Sequence, residues 1–185
     1  MVTIGSLWLP ILLSAVLVFV ASALIWMVLP HHRSDFKGLP DEGAVLDALK
    51  PQNLVAGQYD FPHVASPDDL KKPEVQQRFA DGPVGFFTVA RGQPNMSKNM
   101  ILSFIYYIVI GGAVAYVLSR TVDPGAEYLS VFRVSGTVAW YAYGLAVVPE
   151  AIWFGRPWSG VWKHLGDAFV YALLTAGAFA WLWPA

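Results

Sequence analysis

Four long apolar stretches dominate this chain and constrain its fold more than any other feature. They run from Ile4 to Leu29, Met100 to Leu118, Tyr128 to Val148 and Leu165 to Trp183. The hydrocarbon core of a bilayer is about 30 Å thick, so a helix needs about 20 residues to cross it. Each stretch meets this length. The sequence therefore predicts an all-α membrane protein with four transmembrane helices.

The charged residues divide the chain further. They make up 14% of the sequence, against roughly 25% in soluble domains, and most lie between the first and second stretches. We expect residues 1–29 to form the first transmembrane helix and 30–97 a cytoplasmic insert. A three-helix transmembrane region should follow over 98–185, with helices at about 99–119, 128–148 and 164–183.

The first stretch is predicted to be a retained anchor and not a cleaved signal peptide. No Lys or Arg precedes it, and its apolar run is longer than the signal-peptide core of about 7 to 15 residues. Most Lys and Arg residues near the ends of the predicted spans lie on the same side of the membrane as the insert: Arg33, Lys37, Arg91, Lys98, Arg156 and Lys163. The positive-inside rule then predicts a multi-pass protein of the bacterial inner membrane with both termini in the periplasm.

The insert is predicted to contain short helices and irregular chain. One helix should begin near Leu39–Pro40 and stop before Pro51. A second should run from Pro67 to Ala80, with Ser66 as its N-cap and Pro73 limiting it or shifting its start. The apolar run Val84–Val89 is interpreted as a strand or as chain laid into the membrane interface.

Small residues indicate where the helices touch. Gly111 and Gly112 lie in the second span, and the fourth carries Ala172, Ala176 and Ala180 at four-residue spacing. Small side chains let helix backbones approach closely in a membrane. Packing within the chain is favoured over packing against another subunit.

Ionisable residues in or near the spans are the first candidates for function. Arg133 is expected to reach the outer surface or to pair with Glu127 or Asp123. Asp167 is expected to pair with Lys163, four residues earlier on the same helix. These residues form no chain of carboxylates across the membrane, which argues against an ion pump.

Histidines are the one constellation that suggests a cofactor. His31 and His32 close the first span, and His164 opens the fourth. Imidazole is a common metal ligand and can hold haem iron, but the spacing is nonspecific, and hydrogen bonding at the membrane interface is the more common role. The sequence predicts no cofactor. The alternative is a metal ion bound by His31, His32 and His164, or a haem.

Other chemistries lack their motifs. The chain has no cysteine, which excludes disulfides and thiolate nucleophiles. It has no phosphate-binding glycine loop and no nucleophile elbow. Its net charge of -1 argues against a nucleic-acid partner. An enzymatic role is disfavoured without being excluded, and no catalytic residue is assigned.

Several runs carry a family resemblance: Met27–Phe36, Leu39–Glu42, Pro124–Arg133, Ile152–Trp158 and Val170–Gly177. They resemble an uncharacterised family of small four-span bacterial inner-membrane proteins, and the similarity covers nearly the whole chain. The resemblance implies this membrane layout. It carries no assigned activity, so no site residue is transferred from it.

Two functions remain in view. The first is a non-catalytic accessory, structural or assembly subunit of a larger respiratory or photosynthetic membrane complex, because the chain is small, poor in motifs and rich in aromatic residues. The second is binding or transport of a lipid-like molecule, quinone or metal. The expected partners are the lipid bilayer and other membrane subunits, or a second copy. The residues expected to make contacts are Arg33, Asp35, Arg133, Trp153, Arg156 and Trp158.

Overall fold

A computed structural model describes residues 2–185; Met1, the first residue of the predicted first-span segment, lies outside this range. The chain forms two compact units. The helical unit comprises residues 2–36, 95–151 and 156–185, and the insert unit comprises residues 37–94 and 152–155. The helices and strands, in chain order, are α1 (Trp8–Ala23), α2 (Glu42–Leu49), β1 (Gly57–Phe61), α3 (Pro73–Asp81), β2 (Gly85–Val89), α4 (Met96–Thr121), α5 (Tyr128–Gly144), α6 (Val148–Phe154) and α7 (Trp158–Trp181).

Three segments are long and apolar enough to cross a membrane. They are Ile4–Val28, Met96–Thr121 and Tyr128–Phe154, with mean hydropathies of 2.7, 2.2 and 1.3. The first includes a 3₁₀ turn before α1 and a π-helical turn, Leu24–Val28, after it. This mostly helical chain thus has three of the four predicted spans by length and composition. The fourth prediction falls on α7, which is not among the three. Lys163 and Asp167 lie in the N-terminal half of this helix.

Helix α7 packs most extensively against α5 and then against α1. Its predicted small face is buried, with Ala172, Ala176 and Ala180 at 3%, 0% and 8% exposure. A Cβ atom added to Gly136 of α5 would lie 3.3 Å from the Cβ of Ala176. The two backbones therefore approach as closely as their small residues permit, and the prediction of helix packing within the chain is confirmed here.

Both ends of α7 contact loops that are distant from it in the sequence. At its C-terminal end, Gly125 donates its backbone N–H to the carbonyl of Pro184 at 2.9 Å. The indole N–H of Trp183 donates to the carbonyl of Asp123, also at 2.9 Å. Near its N-terminal end, α7 contacts the turn that follows α1. It therefore runs from one end of the helical unit to the other.

The insert unit is held by local contacts. Asp41 caps α2 by accepting from the backbone N–H of Ala44 at 2.9 Å. Strands β1 and β2 pair antiparallel, with Tyr59 opposite Phe87 and their rings stacked at 5.2 Å. Within residues 37–94 every side chain is at least partly exposed. A segment of this size gains too little from burial to offset its conformational entropy alone.

The structure adds detail to the predicted insert. The helix expected from Pro67 to Ala80, with Pro73 limiting it or shifting its start, is divided into a 3₁₀ turn, Pro67–Lys71, and α3, because Lys72 precedes Pro73 and is extended. The run Val84–Val89 contains a strand, β2, whose partner β1 was not predicted. Residues 30–36 belong to the helical unit, and the assignment of residues 30–97 to the cytoplasm stays a prediction.

The contact between α1 and α4 can be tested at adjacent glycines. A Cβ at Gly111 would lie 3.2 Å from the Ile11 Cγ2 and 3.3 Å from the Ser14 Oγ, whereas a Cβ at Gly112 meets nothing within 4 Å. We expect Gly111→Leu to lower the free energy of unfolding by about 1–3 kcal/mol through overpacking. Gly112→Leu, the matched control, should change it far less. Equal loss in thermal unfolding of the two purified variants would contradict this helix contact.

Candidate metal centre

The site forms where the chain leaves α1. Leu29 is extended (φ -75°, ψ 139°), as expected for a residue that precedes proline. Pro30 then opens a 3₁₀ helix, Pro30–Asp35, at a position where its missing N–H costs nothing. This turn contacts α7 and carries His31 and His32 to it.

Asp167 of α7 is the centre of the site. Its Oδ1 lies 3.2 Å from the His31 Nε2, and its Oδ2 lies 2.6 Å from the His32 Nε2. Asp167 and His32 are both buried, and His31 is half-buried. One ligand atom from each of the three residues lies within 4.8 Å of the others. We call His31, His32 and Asp167 the histidine–aspartate cluster.

A second layer of residues holds the cluster in place. Asp35 Oδ2 lies 2.6 Å from the Nδ1 of His32, the ring nitrogen that faces away from the cluster. Lys163 Nζ lies 2.5 Å from the other Asp35 oxygen. It also donates to the Ser34 Oγ at 2.8 Å and to the backbone carbonyl of His31 at 2.5 Å. The lysine thereby joins α7 to the whole 3₁₀ turn.

Trp26 fixes the plane of the His32 ring. The two rings stack with centroids 3.8 Å apart and planes 2° from parallel. Trp26 lies in the π-helical turn at the end of the first span, and such turns occur frequently at functional sites. Stacking on one side and hydrogen bonds at both nitrogens leave His32 a single orientation.

Two neighbouring groups set the electrostatics of Asp35. The hydrogen bond from His32, and next the one from Lys163, lower the pKa of Asp35 below the usual carboxyl value. A metal ion at the Nε2 of His32 would leave the contact between Asp35 and the Nδ1 intact.

The geometry permits a metal ion at this position. Zinc-type ions bind imidazole nitrogens and carboxylate oxygens at about 2.0–2.2 Å. The three ligand atoms lie within 4.8 Å of one another, so small side-chain rotations can admit one ion between them. Two imidazoles and one carboxylate leave further coordination positions open to water or to another ligand.

The sequence predicted a different third ligand. His31 and His32 come together as expected, but the group is completed by Asp167. His164 lies elsewhere on α7, with its Nε2 3.2 Å from the backbone carbonyl of Tyr143. His63 is in the insert unit, where its Nδ1 lies 2.7 Å from Asp60 at an exposed position.

Two predicted ion pairs do not form within residues 2–185. Lys163 pairs with Asp35 and not with Asp167, because the 3₁₀ turn brings a carboxylate to 2.5 Å from its ammonium group. Asp167 pairs with the histidines instead. Arg133 is exposed and forms no ion pair with Glu127 or Asp123 within the same residues.

Of the residues predicted to contact partners, Asp35 belongs to the site. Arg156 donates to Glu150 at 2.9 Å in a half-exposed ion pair. The other four are exposed side chains: Arg33, Arg133, Trp153 and Trp158. Asp167 was missed as a member of the cluster although one indication was present, since a carboxylate inside an apolar helix is a functional candidate by itself.

Comparisons with protein-family models, curated proteins and solved structures give no match to this chain. The resemblance to a four-span bacterial family therefore stays a prediction from the sequence. Function has to be inferred from the geometry of the chain itself.

Proposed function

We propose that the chain is a four-span protein of the bacterial inner membrane, with α7 as the fourth span. The 24 residues of α7 correspond to about 36 Å of helix, enough to cross a bilayer. Its Lys163 and Asp167 contact partners within the helical unit, which lowers the cost of placing charge near the membrane. The positive-inside rule then places the histidine–aspartate cluster on the cytoplasmic side and both termini in the periplasm.

We further propose that the protein binds a divalent transition-metal ion at the cluster. The ligands are His31 Nε2, His32 Nε2 and a carboxylate oxygen of Asp167. Imidazole ligands favour ions such as Zn²⁺, Fe²⁺ or Ni²⁺, whereas Mg²⁺ and Ca²⁺ favour sites made of oxygen alone. The function supported best is therefore that of a metal-binding membrane protein.

One observation carries this proposal: the hydrogen bond between Asp35 and His32 Nδ1. In metal sites the ring nitrogen that does not bind the metal commonly donates to a carboxylate, which fixes the tautomer and raises the basicity of the ligand nitrogen. Here that carboxylate is 2.6 Å away and is itself held by Lys163. The arrangement provides a histidine side chain that can bind a metal ion, together with the carboxylate that orients its ring.

A second candidate function rests on the insert unit. Its residues 37–94 are at least partly exposed throughout, and they include apolar side chains such as Val55, which is 75% exposed. A segment without buried side chains gains stability by covering a partner. This favours the role of an accessory, structural or assembly subunit of a larger membrane complex, and a metal site is compatible with that role.

The topology can be tested with single cysteines, because the chain contains none. We expect Glu127→Cys and Ala185→Cys to react with a membrane-impermeant maleimide added outside spheroplasts. Val55→Cys should react only after the membrane is permeabilised. If α7 does not cross, Ala185→Cys will instead behave like Val55→Cys.

Metal binding can be tested on the full chain in detergent after chelator treatment. We expect each chain to bind one Co²⁺ ion. Binding is monitored by the visible absorption of the bound Co²⁺, which Zn²⁺ should displace. His32→Ala and Asp167→Asn should abolish this stoichiometric binding because each removes a ligand. Asp35→Asn should weaken it by about 10–100-fold, the usual effect of losing an outer partner.

Two histidine variants serve as controls for the metal experiment. His63→Ala also removes a histidine beside an aspartate, but at an exposed pair in the insert unit, so Co²⁺ binding should be unchanged. His164→Ala should likewise retain binding, which separates the cluster from the ligand set expected from the sequence. Stoichiometric Co²⁺ binding that survives both His32→Ala and Asp167→Asn would refute the site.

The subunit role can be tested by native size in mild detergent. Extracted from its own membrane, the 20.3 kDa chain should migrate in a complex much larger than one chain with its micelle. Val55→Asp should release it, because the substitution places a charge on the exposed apolar surface. Gln52→Asp, at a nearby exposed position, should not. A single-chain species in the unmodified extract would exclude this role.

A further inference from the structure

A groove of about 440 Å³ lies between α5 and α7 in the helical unit. Its wall on α5 consists of two rows of residues at four-residue spacing: Phe132, Gly136 and Trp140, and Arg133, Thr137 and Tyr141. Residues with this spacing share one face of a helix, so the groove follows α5 for about two turns, or about 12 Å. Its wall on α7 consists of Phe169, Ala172 and Leu173. We call it the α5–α7 groove.

The middle of this groove is apolar and open along one side. Phe169 and Leu173 of its α7 wall are 55% and 42% exposed. The hydroxyl of Thr137 donates to the backbone carbonyl of Arg133 at 2.8 Å, and the indole N–H of Trp140 donates to the carbonyl of Leu165 at 3.3 Å. These two polar groups have partners within the chain and need none from a ligand. This part of the groove therefore suits a hydrocarbon chain.

Arg133 is the charged residue of the groove wall. Its side chain is exposed, and within residues 2–185 it forms no ion pair. It lies about 8 Å along the helix from Tyr128, the first residue of α5. Helical side chains tilt toward the N-terminus of their helix, and long basic side chains reach the membrane surface in this way. One end of the groove is thus bordered by a cation that has no ionic partner in the described chain.

Charge and shape together indicate the kind of ligand. A cation near the hydrocarbon is costly unless an opposite charge is close to it, and a guanidinium group pairs with phosphate through two parallel hydrogen bonds. A phospholipid carries its phosphate on the same molecule as its acyl chains. In a zwitterionic lipid the headgroup ammonium competes with Arg133 for that phosphate, whereas an anionic headgroup offers no such competitor.

We propose that the α5–α7 groove binds an anionic phospholipid. The phosphate pairs with Arg133 at the end of the groove nearest the start of α5, and one acyl chain lies along the groove toward Trp140. The proposal rests on the membrane topology proposed above, which places this end of α5 in the outer leaflet. It is independent of metal binding, because the groove and the histidine–aspartate cluster have no residue in common.

Trp140 can report on the groove when the full chain is reconstituted in vesicles, because bromine atoms on an acyl chain quench tryptophan fluorescence on contact. A rising fraction of a phosphatidylcholine vesicle is replaced by brominated phosphatidylglycerol or, separately, by brominated phosphatidylcholine. The chain has eight tryptophans, so the signal of Trp140 is the difference between the unmodified chain and Trp140→Phe. Its half-maximal quenching should need about 5-fold less phosphatidylglycerol than phosphatidylcholine, the usual contribution of one basic residue near an anionic surface.

Arginine variants, each measured with and without Trp140, separate a local contact from a general attraction to charge. Arg133→Gln should make the two lipids quench equally, and Arg133→Lys should keep most of the preference because the charge remains. Arg120→Gln is the matched control. Arg120 also lies at the end of a membrane helix, where its guanidinium carbon is 5.7 Å from the centre of the Tyr116 ring, and it does not line the groove. Its replacement should leave the preference unchanged.

Three results would overturn the proposal without affecting the topology. The first is equal quenching of Trp140 by the two lipids in the unmodified chain. The second is a preference that survives Arg133→Gln or is lost in Arg120→Gln. The third is quenching of the other tryptophans without quenching of Trp140, which would indicate that a second copy or another subunit covers the groove. The labelling of Ala185→Cys tests the topology separately, so the failure of one proposal can be distinguished from the failure of the other.

Discussion

The buried carboxylate of Asp167 is the constraint on which the rest of the helical unit depends. An ionised side chain inside an apolar helix is tolerated only when it is paired and hydrogen-bonded. Its partners, His31 and His32, come from a segment about 135 residues earlier in the chain. The contacts of Asp167 with the two histidines therefore hold the end of the first span against α7 and determine where the connecting turn lies.

The polar residues of α7 lie along one side of the helix, and its small residues pack against a neighbouring helix. Lys163, Asp167, Tyr171 and Thr175 follow one another at intervals of four residues, about one helical turn each. Lys163 and Asp167 contact the 3₁₀ turn, and Tyr171 lines a cavity of the helical unit together with Trp26. Alanines at Ala172 and Ala176 allow the close approach of α5. Helix α7, the one predicted span that is not among the three candidate membrane-spanning segments, thus contacts both α1 and α5.

Local pattern was sufficient to predict much of this fold. Apolar length identified the first three membrane helices, and the spacing of Ala172, Ala176 and Ala180 identified a packing face, because both properties are read within one helix. Ser66 and its proline were recognised as a helix start for the same reason. The strand β1 was missed, since Gly57–Phe61 has little apolar alternation and becomes a strand only by pairing with β2.

The site was harder to predict because its contacts are long-range. His31 and His32 were identified from residue type alone. Whether His164 or Asp167 meets the two histidines depends on which face of α7 contacts the turn, and helical periodicity does not determine that. Sequence spacing predicted Lys163 as the partner of Asp167, but in the folded chain Lys163 pairs with Asp35.

Trp26 belongs to two parts of the helical unit. One face of its indole stacks on His32, and the same side chain lines a cavity whose other wall residues include Tyr106, Tyr143 and Tyr171. A movement of this ring would change the surroundings of His32 and the wall of that cavity together. If ligands occupied both places, any effect of one on the affinity of the other through this ring would be reciprocal, with the same coupling free energy in both directions.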